Sequence, residues 1–291
     1  MSPSAPLRVP TSSAEPRTLG RTGAQVEAVS LGGEGALRTT DRVAEAVAVI
    51  LEALRLGVRY FDTAPAYQQS QDYYGAAFRA AEAGARERVF LASKTHRRDR
   101  DGALRLLDDS LATLGTDHLD LWQLHDLREL DELDEIFGKT GAIHAVEQAR
   151  ADGRVRHVGI TGHHDPAILL EAMRRYPALD TLLVAINPSD PARMPFAPVI
   201  TEARRRGMGV IGMKVMAAGR LLEDAAATPE ECIGYAASLC DTVIIGCKTP
   251  GEVAQNVAIG RALGAPMSAQ ARAALEARVS KRHARYDSFK A

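Results

Sequence analysis

The sequence predicts a (β/α)8 barrel of the TIM type, with a short N-terminal β-hairpin and an additional C-terminal helix. Three observations carry that expectation. From residue 26 onward, short apolar and β-branched runs alternate with longer amphipathic ones. The short runs are continuously hydrophobic, as parallel strands buried on both faces require. Eight strand-plus-helix units fit into roughly 240 residues, which is the arithmetic of the eightfold barrel. An open doubly wound sheet is the competing architecture. It calls for Gly-x-Gly-x-x-Gly after the first strand, and Gly32-Gly33-Glu34-Gly35 does not supply it.

Taken in order, residues 1–16 are rich in Ser, Pro and Ala and read as a flexible tail, and residues 17–291 read as one domain. Residues 16–25 suit a small hairpin with Thr22-Gly23 near its turn. Strands are expected at 26–31, 58–61, 89–93, 119–124, 155–160, 181–186, 210–213 and 242–245. Helices are expected at 41–56, 71–83, 101–114, 141–152, 166–175, 195–206, 229–239 and 251–263, with a polar, Ala-rich helix over 268–286. Asp101, Asp165 and Thr228 suit N-caps, with Pro166 and Pro229 behind two of them. Gly57, Gly115, Gly153 and Gly207 stand where helices should stop.

Composition excludes several function classes. Thirty-six Lys plus Arg balance 37 Asp plus Glu, giving a formal charge of -1, which argues against a nucleic-acid or anionic-membrane surface as the main function. No apolar run is long enough to span a bilayer. Three cysteines, Cys232, Cys240 and Cys247, form no Cys-x-x-Cys pair, so a disulfide scaffold or iron–sulfur site is not expected. A reducing, cytoplasmic location fits that usage.

The candidate chemistry sits at the ends of successive strand runs. The segment from Val58 ends at Asp62, with Tyr67 five residues on; the next runs end at Lys94 and at His125. In a barrel, strand ends surround the mouth, so the four side chains share one pocket. Tyrosine is a poor acid at neutral pH, and a neighbouring ammonium favours its phenolate. Asp62 would hold Lys94 charged, and His125 would hydrogen-bond a substrate oxygen. Against this stands the ordinary structural role of a buried Asp–Lys pair or a packed tyrosine; only the joint placement favours catalysis. His163-His164-Asp165 has the residue types of a metal site, but adjacent histidines seldom point the same way and Asp165-Pro166 reads as a helix start, so no metal is expected.

These residues resemble the aldo/keto reductase family, over roughly residues 17–257 of this chain. The resemblance rests on Leu19-Gly20-Arg21-Thr22-Gly23, on the segment Gly57 to Tyr67, on Ser93-Lys94 and on Gln123-Leu124-His125. It implies a (β/α)8 barrel that reduces an aldehyde or ketone reversibly with NAD(P)H. Tyr67 would be the acid in reduction, Lys94 and Asp62 would tune it, and His125 would orient the carbonyl. The implied partner is a small carbonyl or alcohol compound, with no nucleic acid, membrane or metal, in a monomer or small homo-oligomer.

Cofactor segments match the family less closely. Thr161 and His163 lie where the family holds the nicotinamide amide, with Asn187 a further contact. Met213 replaces a stacking tyrosine, and Lys214 follows it. Gly246, Lys248, Thr249, Glu252, Gln255 and Asn256 resemble the dinucleotide-clamping strand and helix. Lys248 would attract an adenosine 2′-phosphate and Glu252 would repel it; the family inclines the balance to NADPH over NADH. A cofactor-binding regulatory barrel with little turnover is the alternative function, and a metal-assisted hydrolase a third.

Overall fold

The computed structural model describes residues 15–192 and 196–287. Eight parallel strands close into a barrel: β1 (Val29–Gly35), β2 (Tyr60–Asp62), β3 (Phe90–Thr95), β4 (Leu119–Leu124), β5 (Val155–Gly162), β6 (Thr181–Ala185), β7 (Gly209–Met213) and β8 (Thr242–Cys247). Neighbours follow chain order, and β8 pairs with β1 to complete the ring. All eight expected strands form. The first begins three residues late because Gln25–Val26 is taken up in the hairpin, paired antiparallel with Arg17–Thr18.

Two hydrophobic layers hold the barrel. The larger lies between the strands and the surrounding helices and includes Trp122, which therefore faces outward. A smaller cluster fills the interior: Tyr60, Ala92, Leu121, Leu183, Ile211 and Ile244, joined by Leu19 and Val26 of the hairpin. The hairpin thus plugs the N-terminal end. Its Gly20 sits so near β7 that a Cβ there would come 2.1 Å from the Gly209 nitrogen, so a side chain would unseat the plug.

Helices Val43–Arg55, Ser70–Ala80, Arg100–Leu114, Ala142–Ala151, Pro166–Arg175, Pro229–Ala237 and Pro250–Ala262 follow the amphipathic runs. Ala197–Arg205 forms as well; the expected start at Pro195 lies outside the described residues. Asp165 and Thr228 cap as expected, and the four stop glycines take left-handed φ angles. Three expectations are corrected. Asp99, not Asp101, caps the third helix, its carboxylate accepting from Gly102 N at 2.6 Å. The loop after β4 carries its own helix, Leu130–Ile136, opened by a reciprocal cap between Glu129 and Glu132. The C-terminal helix divides into Ala269–Ser280 and His283–Tyr286. Tail residues 1–14 and 288–291 lie outside the described residues. No helix among the described residues is long and apolar enough to cross a membrane.

Candidate active site

Strand periodicity explains how the site is assembled. Tyr60 and Ala92 point into the barrel, so two residues further along, Asp62 and Lys94 point the same way, one layer nearer the mouth. Both are fully buried, and Lys94 Nζ donates to Asp62 Oδ2 at 2.5 Å and to the Thr63 carbonyl at 2.9 Å. Burial pushes the Lys94 ammonium down and the Asp62 carboxyl up, while their mutual attraction opposes both shifts.

Tyr67 lies over this pair, half-buried. Lys94 Nζ is 4.7 Å from its ring centroid, and the His125 ring meets it edge-on with centroids 5.6 Å apart. Arg38 stands on its outer side, Cζ 5.3 Å from the centroid. Gly33 lies beneath: a Cβ there would come 2.5 Å from Tyr67 Cδ2. The four side chains singled out in the sequence are therefore together. One expectation is corrected. The phenol is raised well above its usual range by burial, then by the Asp62 and Glu34 carboxylates, and the opposing Arg38 cation does not overcome them.

His125 follows β4, its N–H bonded to the Thr95 carbonyl at 2.9 Å. Burial, then the Lys94 cation, pushes its imidazole down to about 3. It is neutral at physiological pH, so it can orient a carbonyl oxygen but carries no imidazolium proton to give. Arg98 fixes the segment after it, donating to the His125 carbonyl at 2.9 Å and to Glu132 at 3.0 Å.

The expected cofactor residues form two groups at the ends of β5 to β8. Thr161 is buried and its Oγ1 accepts from Asp126 N at 2.8 Å, which leaves its hydroxyl proton to donate. His163 lies beside Asp126, and burial pushes its imidazole down to about 4. Asn187 is buried; its Oδ1 accepts from Ser189 and its Nδ2 donates to the Lys214 carbonyl at 3.2 Å. Met213 ends β7 beside the interior cluster. Lys214 Nζ reaches Glu34 Oε1 at 2.8 Å, and Glu34 packs so tightly on Gly246 that a Cβ there would meet Glu34 Cβ at 2.5 Å.

The second group opens helix Pro250–Ala262. Thr249 Oγ1 caps Glu252 N at 3.2 Å, and the Glu252 carboxylate accepts from Lys248 N at 2.7 Å. Lys248 and Gln255 are exposed, whereas Asn256 turns inward to Cys247 Sγ at 3.4 Å. Asn256 and Gln255 therefore do not present one common face. Gly33, Glu34, Arg38 and Asp126 were not singled out from the sequence as site residues. Glu34 ends in a 3.0 Å ion pair with Arg38, formed across the turn after β1, which no sequence pattern announces. The three cysteines are buried and free.

The sequence matches the aldo/keto reductase family over residues 29–232. It is 28% identical over 259 residues to L-galactose dehydrogenase of Arabidopsis thaliana, covering 84% of this chain and 79% of that protein. Methylglyoxal reductase DkgA of Salmonella typhimurium is 40% identical over 81 residues, 28% of this chain and 29% of the other. Among solved structures, the holo form of aldo-keto reductase AKR11C1 from Bacillus halodurans superposes with a TM-score of 0.73 at 23% identity, covering 91% of this chain and 96% of that one. The Bombyx mori aldo-keto reductase in complex with NADP gives a TM-score of 0.72 at 18% identity, covering 91% and 92%. At those identities the two structures bear on the fold.

Proposed function

This chain belongs to the aldo/keto reductase family, and from that premise we propose that Tyr67 is the proton donor of its NAD(P)H-dependent carbonyl reduction. The family's enzymes are oxidoreductases acting on carbonyl and alcohol groups. The observation that carries the assignment is the stacked order of Asp62, Lys94 and Tyr67, with His125 alongside.

The donor set fits a dinucleotide. A 13-residue helix, Pro250–Ala262, opens just after exposed Lys248, whose backbone N–H already holds the Glu252 carboxylate at 2.7 Å. Thr161, His163, Asn187, Met213 and Lys214 would hold the nicotinamide side, and Gly246, Lys248, Thr249, Glu252, Gln255 and Asn256 the adenosine side. When bound, the cofactor supplies the hydride that adds to the carbonyl carbon. Neutral His125 donates a hydrogen bond to the substrate oxygen and fixes its position. A phenol is protonated at neutral pH, so the proton of Tyr67 is present when needed. As it leaves, negative charge grows on the ring 4.7 Å from Lys94 Nζ, so the cation acts where charge develops. Asp62 holds Lys94 in that position.

NADPH is the preferred cofactor in this reading. Exposed Lys248 supports it, and Glu252 is already engaged by a backbone N–H, which blunts its repulsion of a phosphate. The names of the relatives make small dicarbonyls and aldose sugars the first substrates to try. Buried free thiols suit a reducing cytoplasm. The test is loss of nicotinamide absorbance with an aldehyde and ketone panel, NADPH against NADH. Tyr67→Phe should keep the fold and cofactor binding and lower turnover about 10²–10⁴-fold, the usual worth of a general acid. Full turnover in that variant would remove Tyr67 from the role.

A further inference from the structure

Strand β5 ends at Gly162, and the next two residues bend instead of running extended. On an extended strand neighbouring side chains point to opposite faces. Here the bend brings His163 and His164 to one side, with ring centroids 4.4 Å apart. The carboxylate that joins them is not Asp165, which caps helix Pro166–Arg175, but Asp126 from the loop after β4. Asp126 is held in the left-handed region at φ 55, its N–H tied to Thr161 Oγ1.

Two of the edges are close to those of a coordination polyhedron. His163 Nε2 and His164 Nε2 each lie 3.5 Å from the same oxygen, Asp126 Oδ1. The ligand atoms of all three residues fall within 4.8 Å of one another. Zinc bonds of about 2.0–2.1 Å give a tetrahedral edge of about 3.3–3.4 Å. A direct hydrogen bond would draw nitrogen and oxygen to about 2.9 Å instead. The other carboxylate oxygen, Oδ2, is held by Arg128 at 2.7 and 2.9 Å, which fixes the orientation of Oδ1. The side chains are 23%, 16% and 15% exposed for Asp126, His163 and His164, sheltered yet reachable by a fourth ligand from solvent.

We propose that Asp126, His163 and His164 form a binding site for a divalent ion of the zinc class, with three protein ligands and one open position, and that its occupancy competes with the dinucleotide at the end of β5. Two imidazoles and one carboxylate select zinc, cobalt, nickel or copper over magnesium or calcium. The binding itself stands on the geometry of the three side chains. The competition rests also on the reading of His163 as a cofactor contact.

The experiment titrates cofactor-free full-length protein with Zn²⁺ by calorimetry and with Co²⁺ by visible absorption. One ion per chain is expected, with no heat from Mg²⁺. His164→Ala and Asp126→Asn should each weaken binding by at least about 10–100-fold, the loss seen even for outer-shell partners of metal sites. In turnover, Zn²⁺ should raise the apparent KM for NADPH at unchanged kcat, and His164→Ala should keep reductase activity while losing that sensitivity. Equal Zn²⁺ affinity in the wild type and both variants overturns the site. Tight binding with no effect on the NADPH KM overturns the competition. If the wild type reduces no carbonyl at all, the reductase reading has failed, and the calorimetric comparison still decides the metal site.

Discussion

Replacing Lys94 with Met, alone and together with Asp62→Asn, separates the catalytic work of the buried pair from its structural work. The ammonium is 4.7 Å from the Tyr67 ring centroid. At an effective dielectric of about 20, its attraction for a phenolate charge at that distance is about 3.5 kcal/mol, or about 400-fold in the phenol–phenolate equilibrium. Proton transfer is incomplete in the transition state, so turnover should fall somewhat less, by about 100-fold. Lys94→Met also leaves the Asp62 carboxyl buried without its cation, a loss of about 3–5 kcal/mol in stability. The double variant removes both charges. Its urea-unfolding stability should return to within about 1–2 kcal/mol of the wild type, while its turnover stays as low as that of Lys94→Met. Turnover is read from nicotinamide absorbance at saturating substrate, and stability from the same preparations. A stable double variant that turns over like the wild type would show that the cation does no chemistry.

Two further outcomes test the packing and protonation of the same tyrosine. Gly33→Ala places a methyl 2.5 Å from Tyr67 Cδ2, so the ring must shift; turnover should drop about 100-fold, the cost of roughly 1 Å of misplacement, with little change in the melt. Unchanged turnover would mean that the ring position is not critical. Because burial and two carboxylates raise the folded-state pKa of Tyr67, the phenol stays protonated in the folded protein when the unfolded chain ionises near pH ~10. Its contribution to stability is therefore complete below that pH and is lost as pH rises above it. Ultraviolet phenolate titrations of wild type and Tyr67→Phe should coincide through pH ~10; one phenolate fewer in the variant there would contradict the assignment.

The barrel was legible because each parallel strand is buried on two faces and so is written as an unbroken apolar run. Leu119–Leu124 and Pro166–Arg175 form with the bounds read from sequence. Asp62, Lys94 and His125 were legible for a related reason: a polar residue that ends such a run must lie at the rim. What stayed hidden depended on local turns. Asp99 takes the cap from Asp101 because the helix starts one residue earlier than the apolar pattern. The short Leu130–Ile136 helix was lost among acidic residues, although Glu129 and Glu132 stand at capping-box spacing. The raised phenol of Tyr67 was illegible for a stronger reason. Its sign depends on burial and on Glu34, which arrives from β1 across the mouth, and no local spacing encodes that approach.

Backbone strain separates the two ends of the barrel. At the N-terminal end, where helices hand over to strands, left-handed turns fall on glycines such as Gly57 and Gly207, which adopt them without steric cost. At the C-terminal end the same conformation is forced on residues with side chains: Asp41, Gln68, Asp126, Lys214, Ala217, Ala218 and Ala225. Each costs on the order of 1–2 kcal/mol relative to relaxed backbone. A glycine would remove that cost, but at Asp126 and Lys214 it would also delete the carboxylate facing two imidazoles and the ammonium bound to Glu34. Strain of this kind persists where surrounding contacts over-determine it, and here the Asp126 N–H bond to Thr161 and the Lys214 carbonyl bond from Asn187 do so. The strained, side-chain-bearing turns lie at the same end of the barrel as the Tyr67 cluster, which is where the proposed site needs over-determined backbone.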